Sequence, residues 1–560
     1  MRKLQLGAVI ALGLALCVEA AAPLASFVDV TAEAGLAFRN RNAATSRKYL
    51  IETMTGGVGL IDYDGDGLLD VFFPNGAALK DPQSDGVALE KADGRFWNRL
   101  YRNQGDGSFR DATEEAGLAG RGYGMGVAVA DYDNDGDADL LVTNYGEALL
   151  YRNDGKGHFS EVSEVAGLGG ARGWFTSAGF LDYDGDGRLD LFLCRYLDWS
   201  FATSVDCSAA GAGERAYCHP DNFEPIANML FRGSASGVFE DVSGPSGIGE
   251  VKGKSLGVAF EDFDGDGGID IAVANDSFRQ FLFHNNRDGT FTESAEMAGM
   301  AYNEDGKVFS GMGIDASDVD GDGWPDLVIT TLSNERFAYF RNVGEGVFEY
   351  ATQPTGLGRI TQRFAGWGVR VFDFDSDGHR DVFFANSHVL DNVHLSQPHI
   401  VYEQTPLLLR WREGGFEDIS MASGKPFAKA LAARGAAVGD LDNDGDLDVV
   451  VAACNGPAVL LRNEGGSRNP WLGVRLRGTR SNRDGIGAKL TLTLSDGTVQ
   501  RAMASTAASY QSAQDGRVYF GVGEGRTVKK LEILWPSGTV QEMREAALNK
   551  VHKVTEAVGR

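Results

Sequence analysis

The residues that most clearly indicate chemistry are aspartates that recur in a fixed pattern. Asp131, Asp133 and Asp135 occupy positions 1, 3 and 5 of one short segment, Gly136 follows at position 6, and Asp139 stands at position 9. In a curled loop, alternate residues point toward one centre, so three carboxylates and the backbone carbonyl of position 7 can surround a cation. The last aspartate closes the shell, and glycine permits the sharp turn. All-oxygen ligation predicts calcium rather than magnesium, which demands a tighter octahedron.

This loop occurs seven times, with Asp at positions 1, 3, 5 and 9 and Gly at position 6 in every copy. Aspartate and glycine also decorate ordinary turns, but seven copies with one spacing favour metal binding. We therefore predict about seven structural calcium ions. The expected ligand residues of loops 1 to 7, at positions 1, 3, 5, 7 and 9, are Asp62, Asp64, Asp66, Leu68 and Asp70; Asp131, Asp133, Asp135, Asp137 and Asp139; Asp182, Asp184, Asp186, Arg188 and Asp190; Asp262, Asp264, Asp266, Gly268 and Asp270; Asp318, Asp320, Asp322, Trp324 and Asp326; Asp373, Asp375, Asp377, His379 and Asp381; and Asp440, Asp442, Asp444, Asp446 and Asp448.

The stretches around each loop repeat as well. An alternating apolar stretch precedes the loop, an apolar run follows it, and two further strand-length stretches are separated by turn residues. Four such strands per unit, joined by hairpins, predict the blades of a β-propeller. The fourth-strand pattern is absent after loop 7 but stands alone at Phe27–Val30. We expect this N-terminal strand to complete the last blade, because ring closure removes exposed sheet edges. The predicted fold is an all-β, seven-bladed propeller followed by a small β domain.

Composition agrees with this organisation. Glycine contributes 75 of 560 residues, which indicates many tight turns. The formal charge is −27, but residues 468–560 carry 15 Lys and Arg against 8 Asp and Glu. The remaining 467 residues are therefore strongly acidic, which suits cation binding and argues against a nucleic-acid partner.

Two groups of motifs resemble known families. Residues such as Gly126 to Val142 resemble the FG-GAP repeats of integrin α-chain propellers and the related VCBS repeats, over roughly residues 27–465. Integrin propellers carry acidic loops in only some blades, whereas here all seven have them. After residue 468, Ser481-Asn482-Arg483-Asp484-Gly485-Ile486-Gly487-Ala488 and Trp535-Pro536-Ser537-Gly538 resemble the ASPIC/UnbV domain. The combination resembles the cartilage acidic protein family and its bacterial relatives, which implies an extracellular calcium-binding protein without a defined reaction.

Aligning the loops predicts a basic and aromatic collar at the channel mouth opposite the calcium loops. Such a collar suits an anionic or sugar-like ligand, although inter-blade packing and ion pairing would explain the same residues. The collar residues are Arg121, Tyr123, Arg172, Trp174, Lys252, Lys254, Arg363 and Trp367.

Two smaller groups of residues each allow more than one interpretation. His388, Asp391, His394 and His399 could bind zinc or copper, or could simply form a polar loop. Cys207 and Cys218 could pair in an oxidising compartment, whereas Cys194 and Cys454 are expected to be buried and reduced.

The N-terminus predicts export. Arg2 and Lys3 precede an apolar run from Leu4 to Val18, so residues 1–20 are interpreted as a signal peptide, 21–467 as the propeller and 468–560 as the C-terminal domain. No transmembrane segment is expected. The predicted function is an extracellular or periplasmic recognition or adhesion scaffold that binds a glycan or a matrix protein. The alternative is a calcium-dependent polysaccharide lyase or hydrolase built on the propeller, since sites are grafted onto folds.

Overall fold

The structure is a computed structural model that describes residues 25–208 and 213–558. The predicted signal peptide lies outside the described residues. Within them, helix is limited to Ala295–Ala298 and Leu357–Thr361 and to short 3-10 turns. The turns are Leu50–Thr53, Gly94–Phe96, Pro220–Asn222, Ile248–Glu250, Val393–Leu395, Ser420–Ala422, Lys425–Ala428 and Gly466–Arg468. The all-β prediction is confirmed.

Seven four-stranded antiparallel units, called blades 1 to 7, contain the seven acidic loops, one loop between the first and second strand of each. Blade 1 also pairs with a C-terminal hairpin, and blades 2 and 3 share a short pairing at Gly146 and Gly173. The strands are Gly59–Ile61, Asp70–Phe73, Arg99–Asn103 and Phe109–Asp111 in blade 1; Tyr123–Ala130, Asp139–Gly146, Ala148–Asn153 and Phe159–Glu161 in blade 2; Gly173–Leu181, Asp190–Arg195, Met229–Gly233 and Phe239–Asp241 in blade 3; Ser255–Glu261, Asp270–Asn275, Phe281–Asn285 and Phe291–Glu293 in blade 4; Ile314–Ser317, Asp326–Ile329, Ala338–Asn342 and Phe348–Tyr350 in blade 5; Gly366–Phe372, Asp381–Asn386, Leu407–Arg412 and Gly415–Asp418 in blade 6; and Ala433–Gly439, Asp448–Ala453, Val459–Glu464 and Ser26–Asp29 in blade 7.

The blades close into a ring. Ser26–Asp29 pairs with Val459–Glu464, so the N-terminal strand completes blade 7 as predicted. The first strands of successive blades contact one another, and the first strand of blade 7 contacts that of blade 1. The side-chain amide of Asn103 in blade 1 donates to the carbonyl of Leu441 in loop 7, at 2.7 Å. Apolar cores fill the space between neighbouring blades: Leu141 of blade 2 packs in one cluster with Phe175 of blade 3.

The face opposite the acidic loops is covered by insertions. Residues 197–208 and 213–227 belong to one of them, and it is held by a disulfide between Cys207 and Cys218. Short strands in and beside this insertion are Leu197–Asp198, Cys207–Ser208, Arg215–Ala216, Glu224–Ala227 and Lys252–Gly253. Trp199 and Phe201 from this insertion pack with Tyr49 and Trp174 in one aromatic cluster over the channel mouth.

The C-terminal domain consists of two sheets around its own core. One sheet contains Val518–Gly521, Trp471–Arg477 and Val551–Thr555, and the other contains Val499–Met503, Lys489–Leu494, Val528–Leu534 and Val540–Arg544. Leu490, Phe520 and Trp535 lie at the centre of the core. This domain packs on the acidic-loop face of the propeller.

A hairpin of the C-terminal domain, Ala507–Ala508 and Ser512–Ala513, enters the propeller axis and contacts the first strands of all seven blades. Ala513 pairs with Gly59 of blade 1, and the Gln511 carbonyl accepts a hydrogen bond from Val127 of blade 2 at 3.1 Å. At its tip, Tyr510 is fully buried, packs against Trp367 and donates to the carbonyl of Met54 at 3.0 Å. The channel is therefore filled by the second domain.

Candidate metal centres

Each acidic loop is shaped by its position-6 glycine. In all seven loops this glycine has a positive φ, between 83° and 108°, which side chains with a Cβ rarely adopt. Its N–H donates to the carboxylate at position 1, as Gly136 does to Asp131 at 2.7 Å. The same bond recurs in every other loop. The predicted turn at position 6 is therefore present in all copies.

The position-9 aspartate fastens each loop to its blade. Asp139 accepts N–H bonds from Tyr132 at position 2 and from Asn153 on the third strand, at 3.2 and 2.7 Å. Every blade has both bonds, including 2.8 Å from Asn463 to Asp448 in blade 7. Position 9 is thus a structural residue as well as a candidate ligand.

The carboxylates converge closely enough to hold one ion. In each of loops 1 to 4, oxygens of three aspartates lie within 4.8 Å of one another, for example those of Asp131, Asp133 and Asp139. In loops 5 to 7, buried carboxylate oxygens of Asp318, Asp375, Asp440 and Asp446 have no hydrogen-bond partner. A buried anionic oxygen without a partner is unfavourable, so this donor set fits a hard divalent cation.

Burial shifts the protonation of these groups. It raises the pKa of Asp139 to about 9 and that of Asp70 and Asp326 to about 8, and the backbone N–H bonds lower it only in part. Burial also raises the pKa of Asp381 and Asp448, and the neighbouring loop carboxylates add to the rise.

A basic residue on the third strand of each blade approaches the loop, and the sequence analysis missed it. Arg102 lies 2.7 Å from Asp64, Arg232 lies 2.9 Å from Asp184, and Arg341 lies 2.6 Å from Asp320. His284 takes this place in blade 4, 3.1 Å from Asp264. The residues of this row are Arg102, Arg152, Arg232, His284, Arg341, Arg410 and Arg462. The recurring Arg-Asn at the end of the third stretch was the available signal.

The C-terminal domain also reaches position 1 of several loops. Arg475 lies 3.1 Å from Asp62, and the Lys489 ammonium pairs with Asp262. The Tyr519 hydroxyl donates to Asp440 at 3.0 Å. In loop 2 the partner is an acid: the carboxylate of Asp484 accepts the N–H of Asp131 at 2.7 Å. The basic domain therefore lies against the acidic face.

Several side chains of the predicted collar are buried in the structure. Tyr123, Trp174 and Trp367 are at most 1% exposed and pack in one core cluster, so their rings do not face an open mouth. Lys254 is buried and pairs with Asp221 at 2.8 Å.

The remaining collar residues are on the surface. Arg121 is paired with Glu147 and Glu161, at 2.9 and 2.7 Å, and Arg172 donates to the carbonyl of Ala171. Lys252 and Arg363 are exposed. Packing and ion pairing, the alternative stated for the collar, describe most of these contacts.

The four residues of the predicted histidine-rich site also lie in different environments. His388 is buried, burial lowers its pKa to about 4, and its Nδ1 accepts the N–H of Leu390. Asp391 is ion-paired with Lys48, while His394 and His399 are exposed. Cys207 and Cys218 form a disulfide, and Cys194 and Cys454 are buried free thiols as expected.

The two motif strings of the C-terminal domain meet at one buried carboxylate. Glu556 accepts backbone N–H bonds from Thr479, Arg480 and Ser481, at 2.8 to 2.9 Å, and is bonded by the Ser537 hydroxyl. Burial alone would raise the pKa of Glu556, but these bonds hold it at about 2. Glu556 therefore organises the domain.

A cavity of about 760 Å³ lies between the propeller and the C-terminal domain, beside loops 4 and 5. Its lining includes Trp324, Arg370, Arg380, Lys489 and Arg501. Arg370 is buried and pairs with Asp315 at 3.0 Å, and its Nε has no hydrogen-bond partner. The junction of the two domains thus offers a concave surface that the sequence did not indicate.

Comparisons with known proteins agree with this architecture. Residues 62–142, 131–193, 262–329 and 318–384 match the FG-GAP-like repeat, and residues 478–560 match the ASPIC and UnbV domain. The chain is therefore a propeller protein with FG-GAP-like repeats and a C-terminal ASPIC and UnbV domain.

Its sequence is similar to cartilage acidic protein 1. The human protein is 24% identical over 388 residues, which cover 68% of this chain and 53% of that protein. The mouse protein is 24% identical with 68% and 54% covered. The chain spans about half the length of these curated relatives. The resemblance stated from the motifs is confirmed.

Solved structures show only a distant likeness. YCF48 bound to D1 peptide gives a TM-score of 0.39 at 8% identity, covering 76% of this chain and 95% of that one. An Agrocybe aegerita lectin specific for non-reducing terminal N-acetylglucosamine gives 0.37 at 16% identity, covering 63% and 81%. Scores this low carry no argument about function. Among the described residues, no helix is long and apolar enough to cross a membrane.

Proposed function

We propose that this protein is an exported, calcium-loaded propeller that serves as an extracellular recognition or adhesion scaffold. The observation that carries the calcium proposal is the set of buried loop carboxylates, four of whose oxygens have no partner. A divalent ion with six to eight oxygen ligands would satisfy them. Seven such ions would bring the formal charge from −27 to −13. Calcium would then stabilise the folded state by mass action.

Metal content and melting temperature test this proposal. We expect elemental analysis of the purified full-length protein to find about seven calcium ions, one per loop. Chelation should lower the melting temperature by about 10 °C or more, and calcium, but not magnesium at the same concentration, should restore it. A folded preparation that holds almost no divalent metal, and whose melting curve ignores the chelator, would contradict the proposal.

Export is supported by independent features. Residues 1–20 have the pattern of a signal peptide, and the disulfide between Cys207 and Cys218 is typical of an oxidising compartment. The similarity to cartilage acidic protein 1 points the same way. Mass spectrometry of the protein recovered outside the cytoplasm should find a mature N-terminus near residue 21. A full-length chain retained in the cytoplasm would argue against export.

The ligand surface is proposed at the junction of the two domains rather than at the collar. The cavity beside loops 4 and 5 combines the ring of Trp324 with both basic and acidic side chains, which suits a glycan or a segment of a matrix protein that presents polar groups of both signs. A glycan and matrix-protein array with calcium and with chelator would identify the class. Arg501→Ala should weaken the signal, while Arg544→Ala, on an outer strand of the same domain, should not. Equal binding by both variants would show that the ligand binds to another surface of the protein.

A further inference from the structure

We propose that the C-terminal domain sets the calcium affinity of loops 1 and 4, and that calcium in these loops weakens the contact with that domain. This inference rests on the proposed calcium function. It concerns Arg475, whose guanidinium lies 3.1 Å from Asp62, and Lys489, whose ammonium pairs with Asp262. Both aspartates occupy position 1, and both are mostly buried, with 10% and 5% of the side chain exposed.

The contact does not use every acceptor position of the Asp262 carboxylate. Oδ1 of Asp262 accepts the N–H of Gly265, whereas Oδ2 accepts both the N–H of Gly267 and the Lys489 ammonium. A carboxylate oxygen can accept more than one interaction, so Asp262 can bind an ion while Lys489 remains near it. The lysine therefore adds a fixed positive charge beside the ion instead of blocking the loop.

Loop 2 has the opposite arrangement. The C-terminal domain places Asp484 there, and its carboxylate accepts the N–H of Asp131. Loop 2 also has a fifth aspartate, Asp137, at position 7. The same domain thus places a positive charge beside position 1 of loops 1 and 4 and a carboxylate beside position 1 of loop 2, where Arg483 also donates to the carbonyl of Asn134.

Electrostatics gives the sign and size of the effect. A positive charge about 6 Å from a divalent ion, in a medium close to water, reduces its affinity by about tenfold. Linkage requires the reciprocal effect, so calcium in loop 4 must weaken the pairing of Lys489 by the same factor. Because surface charges are screened, the effect should shrink as salt is added.

Terbium luminescence reports on loops 4 and 5 in the full-length protein. The indole of Trp324 lies against Gly265 of loop 4, so excitation of Trp324 should sensitise terbium bound there or in loop 5. Lys489→Met keeps the aliphatic stem and removes the charge. We expect its half-saturating terbium concentration to fall by about threefold to tenfold at low salt, and by less at high salt.

Matched variants make the result specific. Arg544→Met removes one positive charge from an exposed strand of the same domain and should leave the titration unchanged within twofold. Trp324→Phe should remove the part of the sensitised signal that comes from loops 4 and 5, and the part that remains belongs to Trp471, whose indole lies against Gly445 of loop 7. Lys489→Gln serves as a second neutral variant should Lys489→Met fail to fold. An unchanged titration in a folded neutral variant would overturn this inference alone, whereas a wild type that binds neither terbium nor calcium would overturn the proposed function.

Variants beside loops 1 and 2 should change calcium affinity in opposite directions, which a general loss of stability would not do. In equilibrium dialysis with calcium, Arg475→Met should tighten binding at one site per chain, because it removes a positive charge beside Asp62. Asp484→Asn should weaken binding at one site, because it removes a negative charge beside Asp131. Changes in the same direction for both variants would contradict the proposal.

The reciprocal effect is read from amine labelling. Saturating calcium should raise the acylation of Lys489 at least twofold, measured by mass spectrometry, because its pairing with Asp262 weakens. Lys553, which is exposed on another strand of the domain, is the control and should not change. A fall in Lys489 labelling on calcium binding would overturn the reciprocal part of the proposal.

Discussion

The two faces of the propeller are assembled in opposite ways. On the acidic-loop face, the same residue types occupy the same positions in all seven blades, from the position-6 glycine to the position-9 aspartate. On the other face, insertions that differ between blades pack an aromatic cluster around Trp174 and Trp199. Because its residues repeat, the acidic-loop face can be predicted from the sequence. The second depends on contacts between segments that share no pattern.

The faces also differ in what stabilises them. The acidic-loop face has excess negative charge. Basic side chains of the third strands and of the C-terminal domain form ion pairs with its aspartates. On the opposite face, the insertions bury an aromatic cluster, with the rings of Trp174 and Tyr196 at 5.1 Å between centroids. Stability of the first face should therefore depend on cations, and stability of the second should not.

The largest expected effect separates the faces by their response to calcium. Asp448→Ala removes a buried carboxylate and leaves two N–H groups without an acceptor. We expect a loss of about 4 kcal/mol of unfolding free energy in calcium, measured by urea titration. Without metal the loss should be smaller, because burial already raises the pKa of Asp448 and disfavours its charge.

Trp174→Ala on the opposite face is the matched control for that comparison. It should lower the free energy of unfolding by about 3 to 5 kcal/mol through lost packing. The loss should be the same with calcium and with chelator. A calcium-dependent cost for Trp174→Ala, or a calcium-independent one for Asp448→Ala, would break the distinction between the faces.

Tyr510 tests whether the second domain joins the two faces through the axis. Its ring packs against Trp367 and its hydroxyl bonds to Met54. Tyr510→Ala should cost about 3 kcal/mol and should lower the stability of the propeller itself, because the hairpin fills its channel. Tyr510→Phe should cost only about 1 kcal/mol, for the hydrogen bond. Urea unfolding that affects only the C-terminal domain would show that the hairpin is dispensable to the ring.

Glu556 gives a pH dependence that calcium should not alter, since it lies in the C-terminal domain. Its pKa is about 2 in the folded protein, below the ordinary value of 4.5. A lowered folded pKa stabilises the protein above the unfolded value, and the stabilisation is lost as pH falls from 4.5 toward 2. Glu556→Gln should cost about 2 kcal/mol at neutral pH and nothing near pH 2. Urea titrations at several pH values would measure this; a constant difference would contradict it.

The smallest effect concerns the surface of the opposite face. Arg121 is half exposed and pairs with Glu147 and Glu161. Because exposed ion pairs contribute little, Arg121→Ala should cost less than about 1 kcal/mol, and added salt should shrink the cost further. Thermal melts at low and high salt would check this. A cost of several kcal/mol would mean that the collar residues support the fold more than packing suggests.

The sequence by itself determined the repeating part of the molecule. The loop spacing, the four strands of each blade and the displaced strand near Phe27 were sufficient to predict a closed all-β ring, because hydrogen bonding and turn geometry are local and recur seven times. The position-6 glycine was predictable for the same reason: a positive φ is a property of one residue.

The contacts between the parts of the molecule became visible only in the folded protein. The collar aromatics were predicted at a channel mouth, but insertions and Tyr510 bury them there. Nothing in the spacing of Lys489 or Arg475 indicated that they would lie beside Asp262 and Asp62, 227 and 413 residues away in the chain. Such contacts depend on the packing of two folded domains, which no local pattern encodes.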